Sequence, residues 1–198
     1  MRKLMHSVLI ATAILATASL AGGAEQKSGK DKEAALRTQP GYVDFSALDK
    51  LGQEAKVEVN LRDPMLGLVG KFIGEDDPEL KDLISSLKLV RVRVYAVTPD
   101  TIERLLAAGS ETSLRLDQDG WERIVRVRDE GEHVDVYFKP SSNTEWIEGV
   151  LVIAVGEDDE AAFVNIVGTI RPEDVSRIGD HLDIDGMDKV RVEKKVRN

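Results

Sequence analysis

VRVRVYAVTPDTIERLL, residues 90–106, is the stretch whose reading decides the fold. Val90, Val92 and Val94 alternate with Arg91, Arg93 and Tyr95, the period of a strand with one oily and one basic face. Thr98 and Pro99 interrupt that period, and Ile102, Leu105 and Leu106 continue with helical spacing. Thr98 is expected to cap the helix and Pro99 to open it, because the N–H that proline lacks is unbonded in a first turn anyway. A similar phrase returns as FVNIVGTIRPEDVSRIG, residues 163–179, where Pro172 matches Pro99, Glu173 matches Asp100, Val175 matches Ile102 and Arg177 matches Arg104. Strand, proline and helix recur together, which raises an internal β-Pro-α duplication. The strands themselves differ, since Arg91 and Arg93 fall opposite Val164 and Ile166. Each matched feature has a folding reason, so the repeated phrase reads as scaffold.

Strand signals lie on both sides of this stretch. KVEVNL (56–61) alternates Val57, Val59 and Leu61. ERIVRVRDE (122–130) sets Val125 and Val127 against Arg126 and Arg128, and Asp129-Glu130-Gly131 turns it into EHVDVYFK (132–139). There Val134, Val136 and Phe138 are expected inward, and His133, Asp135 and Tyr137 outward. WIEGVLVIAV (146–155) and AAFVNIVGTI (161–170) are apolar on both alternations, as strands covered on both faces are, and the acidic link 156–161 joins them.

Helical spacing appears in GYVDFSALDKL (41–51), through Tyr42, Phe45, Leu48 and Leu51. RDPMLGLVGKFIG (62–74) predicts a core-facing helix opened by Asp63 and Pro64, with Met65, Leu66, Leu68, Val69, Phe72 and Ile73 on its apolar face and Gly67 and Gly70 packed closely onto the sheet. Asp77 and Pro78 open another, striped by Leu80, Leu83, Ile84 and Leu87. The helix after Pro99 is expected to break at Gly109. Together these signals predict a single α+β domain over residues 40–184, a mostly antiparallel sheet of about six strands packed with helices. Residues 185–198 would form a last strand or a tail.

The first 24 residues are different material. Arg2 and Lys3 precede an apolar run, Val8 to Ala21, and small residues end at Ala24, the layout of a secretory signal peptide cleaved after Ala21 or Ala24. The run falls short of the roughly 20 apolar residues of a membrane span, so an uncleaved anchor is the lesser alternative. LAGG (20–23) resembles a lipoprotein processing box with Gly23 in place of cysteine. The chain has no cysteine, which excludes thioether lipidation and disulfides. Residues 25–39 read as a flexible leader. The mature protein is expected to be soluble in the periplasm or outside the cell. Losing Arg2 and Lys3 takes the net charge from −9 to −11, which disfavours a nucleic-acid partner.

Reactive chemistry is scarce. There is no nucleophile elbow, phosphate-binding glycine loop or zinc helix. Beyond the signal only His133 and His181 remain. DHLDIDGMD (180–188) imitates part of a calcium loop, but the register puts His181 at the first ligand position and Val192 at the twelfth. No catalytic residue, metal or cofactor is therefore expected. The suggestive feature is a basic ladder of Arg91, Arg93, Arg126 and Arg128, which Lys139 would extend. If the two arginine strands are neighbours, the ladder is a cationic, partner-binding patch on an acidic protein. The competing reading is an ordinary surface lattice with Glu132, Asp135 and Glu148, each exposed pair contributing about 0–1 kcal/mol.

Over residues 40–182, GYVDFSALDKLG, DPELKDLISSLKLVRVRVY, GWERIVRVRDEGEHVDVYFK and FVNIVGTIRPEDVSRIG resemble the bacterial envelope proteins grouped as domain of unknown function 4252. The resemblance implies an exported protein, and some members sit in neighbourhoods encoding extracytoplasmic sigma factors and anti-sigma proteins. Gly23 departs from the lipoprotein pattern of many members, and no catalytic residue carries over. The expected function is thus a non-catalytic envelope module that binds a protein partner. The alternative is an enzyme or small-ligand binder acting on cell-envelope material. A deep pocket with convergent polar groups would favour the alternative, and a flat charged or apolar face the partner-binding module.

Overall fold

The computed structural model describes residues 34–73, 77–129, 131–156, 160–171 and 173–175. The elements in chain order are α1 (Ser46–Asp49), β1 (Val57–Arg62), α2 (Met65–Ile73), α3 (Pro78–Ser86), β2 (Leu87–Ala96), α4 (Ile102–Gln118), β3 (Glu122–Asp129), β4 (Glu132–Pro140), β5 (Ile147–Gly156) and β6 (Glu160–Ile170). One antiparallel sheet takes all six strands in the order β1-β2-β6-β5-β4-β3, so the fold is α+β as the alternation predicts.

The order follows from one long crossing. After β2 the chain does not turn back into a neighbour. Instead α4 carries it over one face to the far edge, where β3 begins a meander that returns through β4 and β5 until β6 pairs with β2. The two strands of the repeated phrase, β2 and β6, therefore lie side by side and antiparallel, with Arg91 opposite Asn165 and Arg93 opposite Phe163. β5 and β6 are central and buried on both faces, as their unbroken apolar runs require.

Two cores result. On one face Val92, Val94, Val136, Val152 and Val164 meet Leu66 of α2 and Leu83 of α3. On the other, Tyr95, Tyr137, Ile153 and Phe163 meet Leu105, Ala108 and Leu116 of α4 and Phe45, Leu48 and Leu51 of the entry segment. That entry segment is mainly a non-helical strap. Only Ser46–Asp49 is helical, because residues 41–45 are fixed to the sheet by other bonds. The fully buried Asn165 side chain accepts from the Val43 N–H at 3.0 Å and donates to the carbonyls of Gly41 at 3.0 Å and Val150 at 3.2 Å. The strap lies so close to β5 that a Cβ on Gly41 would fall 1.9 Å from the Glu148 carbonyl oxygen.

Several local expectations are corrected. Thr98 is not the cap of α4. Thr98 and Thr101 instead close a turn, with the Thr98 N–H donating to Thr101 Oγ1 at 2.9 Å, and the helix starts at Ile102. Gly109 does not break α4 but lets it approach the sheet, since a Cβ there would lie 3.2 Å from Ile153 Cγ2. In α2, Leu66 is buried, whereas Met65 and Leu68 are exposed. Gly70 faces α3, and Gly67 faces open space, so neither mediates packing onto the sheet. Asp77 behaves as its sequence predicts, accepting from the Leu80 N–H at 2.9 Å. Residues 34–37 form a helical turn, and Lys88 Nζ donates to Gln39 Oε1 at 2.7 Å, so the end of the expected leader is attached to β2. Pro172, His181, the 180–188 loop and residues 185–198 lie outside the described residues, as does the signal segment.

Candidate functional site

α4 packs over the sheet and leaves a groove beside β3, β4 and the end of β5. Leu106, Ser110, Ser113 and Asp117 recur at steps of three and four, which sets them on one stripe of the helix along the groove. Ile153 and Val155 form an apolar floor. From the sheet side come Arg123, Arg126, Arg128, His133 and Asp135, enclosing about 460 Å³. His133, Asp135 and Tyr137 were expected on an outward face. That face is covered by α4, so Asp135 and Tyr137 are buried and His133 is half-buried in the groove.

β3 supplies the charge. Arg126 stands opposite Asp135 and Arg128 opposite His133. A register shift between Arg123 and Val125 restores Arg123 to the same face, opposite Tyr137, although its spacing from Arg126 is odd. Arg126 Nε lies 3.2 Å from Asp135 Oδ1, and Arg128 Nη2 lies 2.5 Å from Asp135 Oδ2. Arg128 also donates to the Val134 carbonyl, and Arg123 donates to the Tyr137 hydroxyl at 3.1 Å while lying over its ring. The Asp135 side chain is 9% exposed, whereas Arg126 is 52% and Arg128 38% exposed. A nearly buried carboxylate thus anchors two guanidinium groups that still reach solvent.

The four-arginine ladder does not assemble. β2 and β3 are separated by β6, β5 and β4, which puts the two arginine pairs about 19 Å apart at four strand spacings. Arg91 is 7% exposed and lies beneath the strap, its guanidinium 5.1 Å from the Tyr42 ring centre and its Nη1 donating to the Tyr42 hydroxyl at 3.2 Å. Arg93 pairs with Asp49 at 2.5 Å and Glu58 at 3.5 Å. Burial works against its charge, but the hydrogen bond to Asp49, with Tyr95, Asp49 and Glu58 charges nearby, holds its pKa above the ordinary arginine value. Both β2 arginines therefore fasten α1 and the strap to the sheet. Lys139 does not extend a ladder either: it donates to the carbonyls of Asp119 and Gly120, just past the C-terminus of α4, where unbonded carbonyls favour a cation.

Of the predicted partner-binding residues, the structure brings Arg126 and Arg128 together and assigns Arg91 and Arg93 to a different, structural setting. It adds Arg123, which strict alternation had left out. Among the described residues no group of three or more His, Asp or Glu side chains is placed to hold a metal ion, and no helix is long and apolar enough to cross a membrane.

Residues 50–178 match the family model described as Domain of unknown function (DUF4252), and the chain belongs to that family. No curated protein and no solved structure matches it.

Proposed function

Taking membership of this family as the premise, we propose that the chain is a non-catalytic, exported module of the bacterial cell envelope that binds a protein partner through the groove between β3 and α4. One observation carries the reading: Arg123, Arg126 and Arg128 share one face of β3, the edge strand among the described residues, where Asp135 is the ion-pair partner described for Arg126 and Arg128. On a chain of net charge −9 this is a local reversal of sign, the pattern that steers and orients an oppositely charged partner. The groove's arginines are engaged, Arg126 and Arg128 with Asp135 and Arg123 with Tyr137, which suits docking better than acid–base chemistry. The signal-like first 24 residues support the export part of this reading. A place in extracytoplasmic sigma and anti-sigma signalling suits such a module.

The test is photo-crosslinking in the native envelope from Leu114 and Ile124, exposed positions on α4 and β3, with Leu68 of α2 as a control behind the sheet. A discrete protein adduct from Leu114 in the groove and from Ile124 on the adjoining strand, absent from Leu68 and diminished by Arg126→Gln with Arg128→Gln, is the expected result. Adducts that are the same from all three positions, or unaffected by the arginine substitutions, would remove the groove as the docking site.

A further inference from the structure

The outer side of β3 is where the sheet ends among the described residues. A strand at such an edge points alternate N–H and C=O groups outward, unpaired, and proteins usually block it with charge, bulges or a covering element. β3 has a bulge and charges, but its charges are of one sign on one face. Arg123, Arg126 and Arg128 face the α4 side, while Val125 and Val127 follow the opposite, apolar face. A further strand laid against β3 would bring its own alternate side chains to within about 4.5–5.5 Å, Cβ to Cβ, of those arginines.

We propose that the open edge of β3 takes an extended, acidic segment of a partner protein as an additional strand, with alternate carboxylates of that segment seated against Arg123, Arg126 and Arg128. The inference rests on the partner-binding reading above and names the chemistry of the occupant. Charge decides for an acidic segment. Asp135 is inside the sheet and nearly buried, so it neutralises the arginines from the β4 side and leaves their outer side without a carboxylate from the next strand. Asp117 faces them from α4, and Glu122 and Asp129 bound the strand at its ends, which restricts the favourable stretch to its middle. Charge also weighs against a second copy in the registers that bring the arginines together. Antiparallel self-pairing centred on Arg126 sets that residue against itself, and centring on Val127 sets Arg126 against Arg128, both destabilising like-charge pairs. The intervening side chains fall on the other face, beside the half-buried Val125 and Val127.

The experiment uses the full mature chain and a blocked synthetic peptide that alternates glutamate and valine and is long enough to span β3. Binding is followed by fluorescence anisotropy at low and high salt. The acidic peptide should bind, weaken steeply as salt shortens the screening length to about 3 Å at 1 M, and lose about tenfold in affinity in Arg126→Gln with Arg128→Gln. Ile124→Glu, which leaves the partners of Asp135 in place, should weaken it too, by repulsion. Peptides N-methylated at alternate residues distinguish a strand from a polyanion: one phase should abolish binding and the other should be tolerated. A lysine–valine peptide should not bind. Equal binding of both N-methylated phases reduces the site to a charge patch and overturns strand addition, as does a dimer through β3 that the peptide cannot dissociate. If the peptide fails to bind while Leu114 and Ile124 still crosslink to a protein, strand addition falls and the partner-binding module stands. Failure of both removes both.

Discussion

Replacing Asn165 with Leu, which has nearly the same shape, tests how the strap is held. The wild-type amide is fully buried and is the joint between the strap, β6 and β5. Leu keeps the volume but leaves the Val43 N–H and the Gly41 carbonyl without the partner they have now. Each buried group so orphaned costs about 1–3 kcal/mol, or about 2–6 kcal/mol for the two. The new side chain returns about 1–2 kcal/mol of apolar burial. Taking the middle of each range, a net loss of about 2.5 kcal/mol is expected, a large share of the roughly 5–15 kcal/mol by which a domain is stable. At a urea slope of about 2 kcal/mol/M, the unfolding midpoint should fall by about 1–2 M. Hydrogen exchange supplies the second measurement, since the Val43 amide should lose protection before the β5 and β6 amides do. A loss below about 1 kcal/mol with the Val43 amide still protected would refute the assignment of Asn165 as the strap's anchor.

Gly41→Ala attacks the same joint from the strap: its Cβ would meet the Glu148 oxygen at 1.9 Å and the Glu148 carbonyl carbon at 2.5 Å, both rigid backbone. Thermal unfolding should show a loss of about 2 kcal/mol or more, and an unchanged melting curve would mean that the strap can lift freely. Tyr95 predicts an alkaline limit. Burial pushes its phenol above the ordinary value of 10.0, although Arg93 beside it pulls the other way. A raised folded pKa means that the stability it contributes is fully present below the unfolded value and declines as pH climbs from there toward the folded value. Ultraviolet titration of tyrosinate should show one phenol lagging until the protein unfolds, and Tyr95→Phe should remove that lagging step while flattening the alkaline fall in stability.

The fold was legible where one segment's periodicity carries the information. Val57, Val59 and Leu61, the Asp77-Pro78 cap, the β3–β4 hairpin and the doubly apolar β5 and β6 are each specified by their own residues and neighbours. The misreadings cluster where distant parts of the chain meet. Tyr42, Phe45, Leu48 and Leu51 have helical spacing, yet Asn165, more than a hundred residues away, binds the backbone of Gly41 and Val43 and keeps that part of the strap out of a helix. Asn165 was visible as an amide inside an apolar run. A buried amide has to find partners, and that was the signal for the strap. Gly109 is ambiguous by propensity alone, because a helix break and a close helix–sheet approach both favour glycine; the nearness of Ile153 decides for the approach.

The arginines show why the site was only half legible. LVRVRVY and IVRVRDE read alike, and nothing local tells a fastening arginine from a docking one. What separates them is how many anionic or aromatic partners the topology delivers. The chain before and beside β2 brings Tyr42, Phe45, Asp49 and Glu58 onto Arg91 and Arg93, so burial and pairing use those charges within the fold. β3 is delivered to the far edge by α4, with β4 as its one neighbour among the described residues. Its three arginines receive one shared carboxylate and a tyrosine ring, and a bulge hides the third from any reader counting in twos. Its place at the edge of the described sheet therefore separates this alternating phrase from the cross-strand fastening of β2, and the proposed acidic strand is the complement that its charge pattern would accept.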